Sequence, residues 1–135
     1  MFVKVSIIMS CYNSQATIGQ SIESILNQSY ENFELLICDD GSIDGTFREI
    51  EKYSKADKRI SIFKNEKNIG LTKSLNLLIN KSDGKFIARQ DDDDISLSHR
   101  IETQIKVIKD LNLDFATSRA KILGTDKLIP GLSFN

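Results

Sequence analysis

Cysteine, histidine and proline are scarce in this chain, and each scarcity removes a class of explanation. The two cysteines, Cys11 and Cys38, have no CxxC spacing and no ligand residues nearby, and His99 is the single histidine, which disfavours a zinc site. Both thiols read as reduced and buried near strand ends, as a reducing cytoplasm permits. The one proline, Pro130, lies in a weakly patterned tail, so no proline-rich linker divides the chain. Long apolar runs are missing too: nothing approaches the roughly 18 residues that span a bilayer, and Met1 to Met9 is too short and interrupted for a signal peptide. There is no excess of either charge. Lys plus Arg is 18 and Asp plus Glu is 19, for a net −1, which argues against a nucleic-acid partner. Finally, GxGxxG and GxxxxGK[ST] are absent, so any phosphate bound here does not rest on a glycine cradle.

What is present is a regular alternation. The 135 residues suit one domain over 1–135, and the 40 % apolar fraction is ordinary for a soluble globular chain. Val3 to Ser10 is a Val/Ile-rich run suited to a buried parallel strand. Ile18, Ile22, Ile25 and Leu26 mark one face of a helix. Phe33 to Cys38 predicts a second strand. Asp44 is placed to cap a helix carrying Phe47, Ile50 and Tyr53. Ile60 to Phe63 predicts a third strand, and Leu71, Leu75, Leu78 and Ile79 a third helix. A turn at Asp83-Gly84 leads into a strand at Phe86 to Ala88, then a helix with Ile101, Ile105 and Ile108 on one face. Asp114 to Thr117 and Ile122-Leu123 are candidate short strands. The order implies an α/β fold: a Rossmann-like, mostly parallel sheet with helices on both faces.

Four consecutive aspartates, Asp91 to Asp94, follow the fourth strand. Alone, an acidic run reads as a solvated turn. Hard cations such as Mg²⁺ or Mn²⁺ would offset the repulsion, because they take oxygen ligands and use one or two carboxylates plus substrate phosphates. The other polar clusters also follow strands: Ser10 to Asn13, Asp39 to Ser42, and Asn65 to Gly70. A parallel sheet brings all four to one edge, where open α/β sheets bind ligands. A near-match to a calcium loop (Asp40, Ser42, Asp44 and Glu51, with Gly45) is disfavoured, because a strand precedes it and Arg48 occupies a ligand position.

These residues resemble the family-2 glycosyltransferases of the GT-A fold, from Val3 to about Gly124. Val5 to Asn13 looks like the family's opening strand and Tyr-Asn loop. Ser24-Ile25-Leu26-Asn27-Gln28-Ser29-Tyr30 is similar to its Ser-hydrophobic-Leu-x-Gln-Thr-Tyr segment. Asp39 to Thr46 is similar to its Asp-Asp-Gly-Ser-Thr-Asp-Gly-Thr signature. Asn68-Ile69-Gly70-Leu71 and Leu75-Asn76 follow its Asn-x-Gly-Leu and Leu-Asn pair, and Ile87 to Ile95 its DxD region. The resemblance implies an inverting transferase that moves a sugar from a nucleotide-diphospho-sugar, UDP-linked by analogy, to a glycan, lipid-linked or other hydroxyl acceptor in polysaccharide synthesis. It implies a donor site of Ser10, Tyr12, Asn13, Asp39, Asp40, Asn68, Gly70, Arg89, Asp91 and Asp92. Tyr12 would pack on the base. Asp40, with Asp39, would accept hydrogen bonds from base or ribose. Asp91 and Asp93 would serve Mn²⁺ or Mg²⁺, with Asp93 as ligand and Asp91 near the ribose and metal waters. Arg89 would assist phosphate or form a salt bridge, while His99 reads as a surface or helix-start residue.

Three features depart from the family. Ser10-Cys11 replaces a proline-containing opening, and Ser98 stands where proline often precedes the Arg-hydrophobic pair, here Arg100-Ile101. Third, no acceptor-binding half with an acidic base follows Gly124, and Asp126 is too isolated for that role. The chain therefore reads as the donor-binding part, truncated at its C-terminus, with the catalytic base unassigned. An incomplete enzyme exposes apolar surface that could drive homodimerisation. The expected location is cytoplasmic, at the cytoplasmic membrane face in the full-length enzyme, with membrane association only through regions outside this chain. The alternative is a non-catalytic module that binds nucleotide sugar or metal. A nucleotidyltransferase is disfavoured, because Cys11-Tyr12-Asn13-Ser14 lacks the glycine- and Lys/Arg-rich loop that holds triphosphate.

Overall fold

Val5–Cys11 (β1) is buried at every position, as expected of a central parallel strand covered on both faces. A computed structural model describes residues 3–129 of the chain. In chain order the further elements are α1 (Ile18–Leu26), β2 (Phe33–Asp39), α2 (Thr46–Ala56), β3 (Ile60–Lys64), α3 (Leu71–Lys81), β4 (Phe86–Arg89), α4 (Arg100–Asp110), β5 (Ala120–Lys121) and β6 (Leu128–Ile129). The main sheet has the order β3-β2-β1-β4, and all its pairings are parallel. The chain winds outward from β1 to β3, then returns to the other side of β1 as β4. Strand order therefore reverses at β1, and a crevice opens at the carboxyl ends of such a pair.

Alternation along the strands sorts the core into two layers. Val5, Ile7, Met9, Leu35 and Ile37 point to the face covered by α1, α2 and α4 through Ile18, Ile22, Ile25, Ile50, Ile101 and Ile105. Ile8, Leu36 and Cys38 point to the opposite face and meet Leu78 of α3. Helices on both faces match the α/β expectation. α3 is thinner than its pattern predicts: Leu71 and Ile79 are exposed, and its buried residues are Ser74 and Leu78.

At the amino edge of the sheet, Glu34 gathers its neighbours. Its carboxylate accepts from Lys4 Nζ at 2.8 Å, Ser6 Oγ at 2.5 Å and the Asp83 N–H at 3.1 Å. Lys4 also pairs with Asp83. Gly84 donates its N–H to Ser6 Oγ at 2.8 Å, and a Cβ there would lie 2.5 Å from the Ser6 nitrogen, so this turn requires glycine. The cluster ties the start of β4 to β1 and β2 at the end of the sheet opposite the aspartates.

The last expected strands differ. Asp114 to Thr117 forms no strand, and Ile122-Leu123 lies in a turn. Ala120–Lys121 instead pairs antiparallel with Leu128–Ile129 as a separate, fully exposed hairpin. The periodicity there was real, but these residues have no core to face. The tail from Pro130 onward lies outside the described residues. Among the described residues no helix is long and apolar enough to cross a membrane.

Candidate functional site at the carboxyl edge of the sheet

The four polar loops meet as topology requires, and hydrogen bonds tie them together. Asn13, at φ 52°, donates its N–H to Ser42 Oγ at 2.9 Å and accepts the Ile43 N–H on Oδ1 at 3.0 Å. Ser14, which the sequence did not single out, joins three loops: its Oγ accepts the Tyr12 N–H at 3.2 Å, its N–H reaches Thr46 Oγ1 at 2.8 Å and its hydroxyl donates to Asp92. Asp44 lies one residue before the cap position Gly45 and still serves the start of α2, accepting the Thr46 N–H at 2.9 Å.

The two adjacent carboxyls Asp39 and Asp40 have opposite circumstances. β2 runs one residue further than its apolar pattern, so Asp39 ends the strand opposite Cys11 and is fully buried. Its Oδ1 accepts the Ser42 N–H at 3.0 Å, while its buried Oδ2 has no hydrogen-bond partner among the described residues. Asp40 is committed within the chain. Oδ1 accepts from Asn65 Nδ2 at 2.8 Å and the Ile69 N–H at 2.9 Å, and Oδ2 accepts the Gly70 N–H at 2.8 Å. Burial pushes its carboxyl up, but the hydrogen bonds from Ile69, Asn65 and Gly70 outweigh that and hold it below the usual carboxylate range. Asp40 thereby shapes the loop bearing Asn68 and Gly70. Gly70 sits at φ 95°, a conformation that L side chains rarely adopt.

Ser10 is buried within β1, in register with Cys38. Tyr12, 46 % exposed, stands on the open edge beside it. Asn68 is exposed. Both cysteines are free and buried, and desolvation raises both thiols, so neither is poised as a nucleophile. His99 is exposed at the start of α4.

Arg89 grips Asp91 with Nε at 2.8 Å from Oδ1 and Nη2 at 3.1 Å from Oδ2. The two side chains are 53 % and 42 % exposed, so the pair is worth at most about 1 kcal/mol and opens readily. Asp92 and Asp93 form a turn with Asp93 exposed. Desolvation, then the charges of Asp91 and Asp93, raise the Asp94 carboxyl. Among the described residues no three His, Cys, Asp or Glu side chains gather to hold an ion unaided. The donor set nevertheless suits a hard divalent cation that takes one or two carboxylates and completes its shell with water and diphosphate oxygens.

Buried amides to which the sequence assigned no role, Gln28 and Gln90, fix this loop. Gln28 Nε2 donates to the Leu97 carbonyl at 2.7 Å, and its Oε1 accepts the Ile101 N–H at 3.0 Å, so the end of α1 caps α4. That gives the Ser24–Tyr30 segment a structural role. A separate groove lies along the outer edge of β4, among Ile87, Ile105, Ile108 and Phe115, but it lacks the convergent carboxyls of the strand ends.

An open parallel sheet with acidic loops gathered beside a strand-order reversal is the frame of an α/β protein that takes its ligand at that edge. The chain belongs to glycosyl transferase family 2, whose family description matches residues 6–129. It is 46 % identical over 107 residues to the putative glycosyltransferase EpsE of Bacillus subtilis, covering 78 % of this chain and 38 % of EpsE. It is 38 % identical over 125 residues to the Escherichia coli UDP-Glc:alpha-D-GlcNAc-diphosphoundecaprenol beta-1,3-glucosyltransferase WfgD, covering 93 % of this chain and 49 % of WfgD. The fold superposes on S. aureus TarS 1-349 in complex with UDP-GlcNAc with a TM-score of 0.74 at 27 % identity, over 79 % of this chain and 31 % of that one. The chain thus spans less than half the length of these relatives.

Proposed function

We propose that this chain forms the nucleotide-sugar donor site of an inverting glycosyltransferase acting on a UDP-linked sugar. The observation that carries the reading is the buried Asp39 carboxyl, whose Oδ2 has no donor among the described residues. A buried acceptor left unpaired costs roughly 1–3 kcal/mol, and a uracil imide N–H is a donor of the right kind to relieve it. Tyr12, one residue beyond the Cys11 that pairs with Asp39, offers an exposed side chain for base stacking. Asp40 supports this arrangement by holding the Asn65–Gly70 loop rather than by offering a free oxygen.

At the other side of the crevice, Asp91 and Asp93 would hold Mn²⁺ or Mg²⁺, with Asp91 released from Arg89 and Arg89 turned toward phosphate. Bound there, the ion offsets the negative charge that builds on the nucleoside-diphosphate leaving group. Ser14 keeps Asp92 turned inward, away from that role. The acceptor site and the general base that deprotonates the acceptor hydroxyl belong, in this proposal, to polypeptide beyond the donor site. WfgD, by its name, acts on a diphosphoundecaprenol-linked sugar, which supports a glycan or lipid-linked acceptor.

The test is calorimetric titration of the chain with UDP, with and without Mn²⁺, beside Asp93→Ala and Asp39→Asn. The expected result is Mn²⁺-enhanced binding that Asp93→Ala removes, and a loss of about tenfold or more for Asp39→Asn in either condition. Metal-independent binding unchanged by Asp93→Ala would sink the cation assignment. Undiminished binding by Asp39→Asn would sink the base assignment.

A further inference from the structure

Gln90 stands between β4 and the aspartates, and it is 3 % exposed. Its backbone N–H continues the sheet ladder, donating to the Ile8 carbonyl at 3.0 Å. Its side chain turns under the following loop. Nε2 donates to the Asp94 carbonyl at 2.8 Å, and also approaches Ser21 Oγ at 3.2 Å and the Asp91 carbonyl at 3.3 Å. Oε1 accepts from Arg100 Nη1 at 2.6 Å and Ser96 Oγ at 2.7 Å. A primary amide has two N–H donors and two acceptor lone pairs, so its full capacity is used, with one N–H shared.

The partners come from three directions. Ser21 of α1 donates its hydroxyl to the Asp91 carbonyl at 2.8 Å. Arg100 of α4 donates Nη1 to Ser96 Oγ at 2.8 Å and Nη2 to the Arg89 carbonyl at 2.8 Å. The Asp94 N–H closes the turn on the Asp91 carbonyl at 3.3 Å. All of these bonds end on backbone or neutral side-chain atoms, and none of them uses an aspartate carboxylate. The backbone of the turn is thus pinned from beneath without drawing on its carboxylates, of which Asp91 is held only by the exposed Arg89 and Asp92 by Ser14. Successive like charges would otherwise spread the turn.

We propose that Gln90 is a positioning residue of the donor site: its amide clamps the Asp91–Asp94 turn so that the carboxylates of Asp91 and Asp93 meet the cation carried by a nucleoside diphosphate already in place. The inference rests on the donor-site reading above. Gln90 touches no ligand; it acts through the carbonyls of Asp91 and Asp94. Groups that orient the ligands of a metal in this way typically alter metal affinity by about 10- to 100-fold when replaced.

The informative variant is Gln90→Glu. It keeps the size of the side chain and gains a charge partner in Arg100, but sets an acceptor oxygen against two carbonyls in place of a donor. Gln90→Leu, which removes both functions, is the second variant. Two measurements apply to each: amide hydrogen exchange across Asp91–Asp94 in the free chain, and UDP affinity in Mn²⁺ and in EDTA. Faster exchange is expected in the turn, with a Mn²⁺-dependent gain in UDP affinity about tenfold smaller than wild type and an unchanged affinity in EDTA. An undiminished Mn²⁺ gain overturns the clamp, and so does an equal loss in Mn²⁺ and EDTA, which is what mere support of the fold predicts. A wild-type chain that binds no UDP overturns the donor-site reading itself, and one that binds UDP equally in Mn²⁺ and EDTA overturns the cation assignment and the clamp with it; both are recognised before any substitution is made.

Discussion

Asp39 and Asp40 are neighbours of the same chemistry with different fates. Asp40 accepts three hydrogen bonds, two of them from the backbone of Ile69 and Gly70. Asp40→Ala therefore strands half-buried donors and should lower stability by about 1–3 kcal/mol, read as a shifted urea midpoint. Asp39 is buried with one oxygen unused. Asp39→Asn should change stability by no more than about 1 kcal/mol in either direction while removing nucleotide binding, because a site residue trades stability for function. If the two variants exchange these phenotypes, the assignment of roles is wrong. Sequence could not separate the pair, since each follows the same strand and matches the same signature. What divides them is that β2 extends through Asp39, turning it into the core, while Asp40 leaves the strand and meets the β3–α3 loop.

At the scale of elements, the loops are as constrained as the helices. Gly41 has φ 77°, and a Cβ there would lie 2.6 Å from the Lys67 carbonyl carbon and 2.8 Å from the Asn68 nitrogen. Both are backbone atoms that cannot rotate away. Gly41→Ala should therefore cost at least about 2 kcal/mol, from the left-handed backbone plus the displaced loop, and thermal unfolding measures it. Gly70 has open space around its missing side chain and φ 95°, so Gly70→Ala should be costly for backbone reasons alone. The four helices and four main strands were legible from apolar periodicity, because each buries one face or two. The hairpin was not, because its residues bury nothing and its pairing depends on a contact across a turn. The two exposed positions of α3 were over-read for a related reason: periodicity marks a stripe, but only packing decides how much of it is covered.

For the whole molecule, the sheet has a chemical polarity. The carboxyl edge carries the aspartate loops, and the amino edge is tied by Glu34. Desolvation pushes the Glu34 carboxyl up, but Lys4, Ser6 and Asp83 more than offset this and bring it from 4.5 to about 2. The folded value is the lower one, so its contribution is complete above pH 4.5 and is lost as pH falls toward 2. Asp40, also lowered, adds a loss of the same sign below its ordinary value of 3.8. Denaturant midpoints measured from pH 6 down to pH 2 should decline most steeply below about pH 4.5, and Glu34→Gln should flatten the decline. A profile unchanged by that substitution would remove Glu34 from the account.

By itself the sequence determined the α/β class, the order of elements and the edge at which the polar loops meet. Those follow from local hydrophobic period and from the handedness of parallel crossovers, which need no knowledge of distant contacts. The aspartates were visible because four like charges in succession are rare and conspicuous. Only the tertiary structure decided which groups hold them. Gln90, Ser14, Ser21 and Arg100 are ordinary residues in the sequence, separated by up to 86 positions (from 14 to 100). They become a support for one turn only when α1, β4 and α4 pack together and the burial of their polar atoms demands partners.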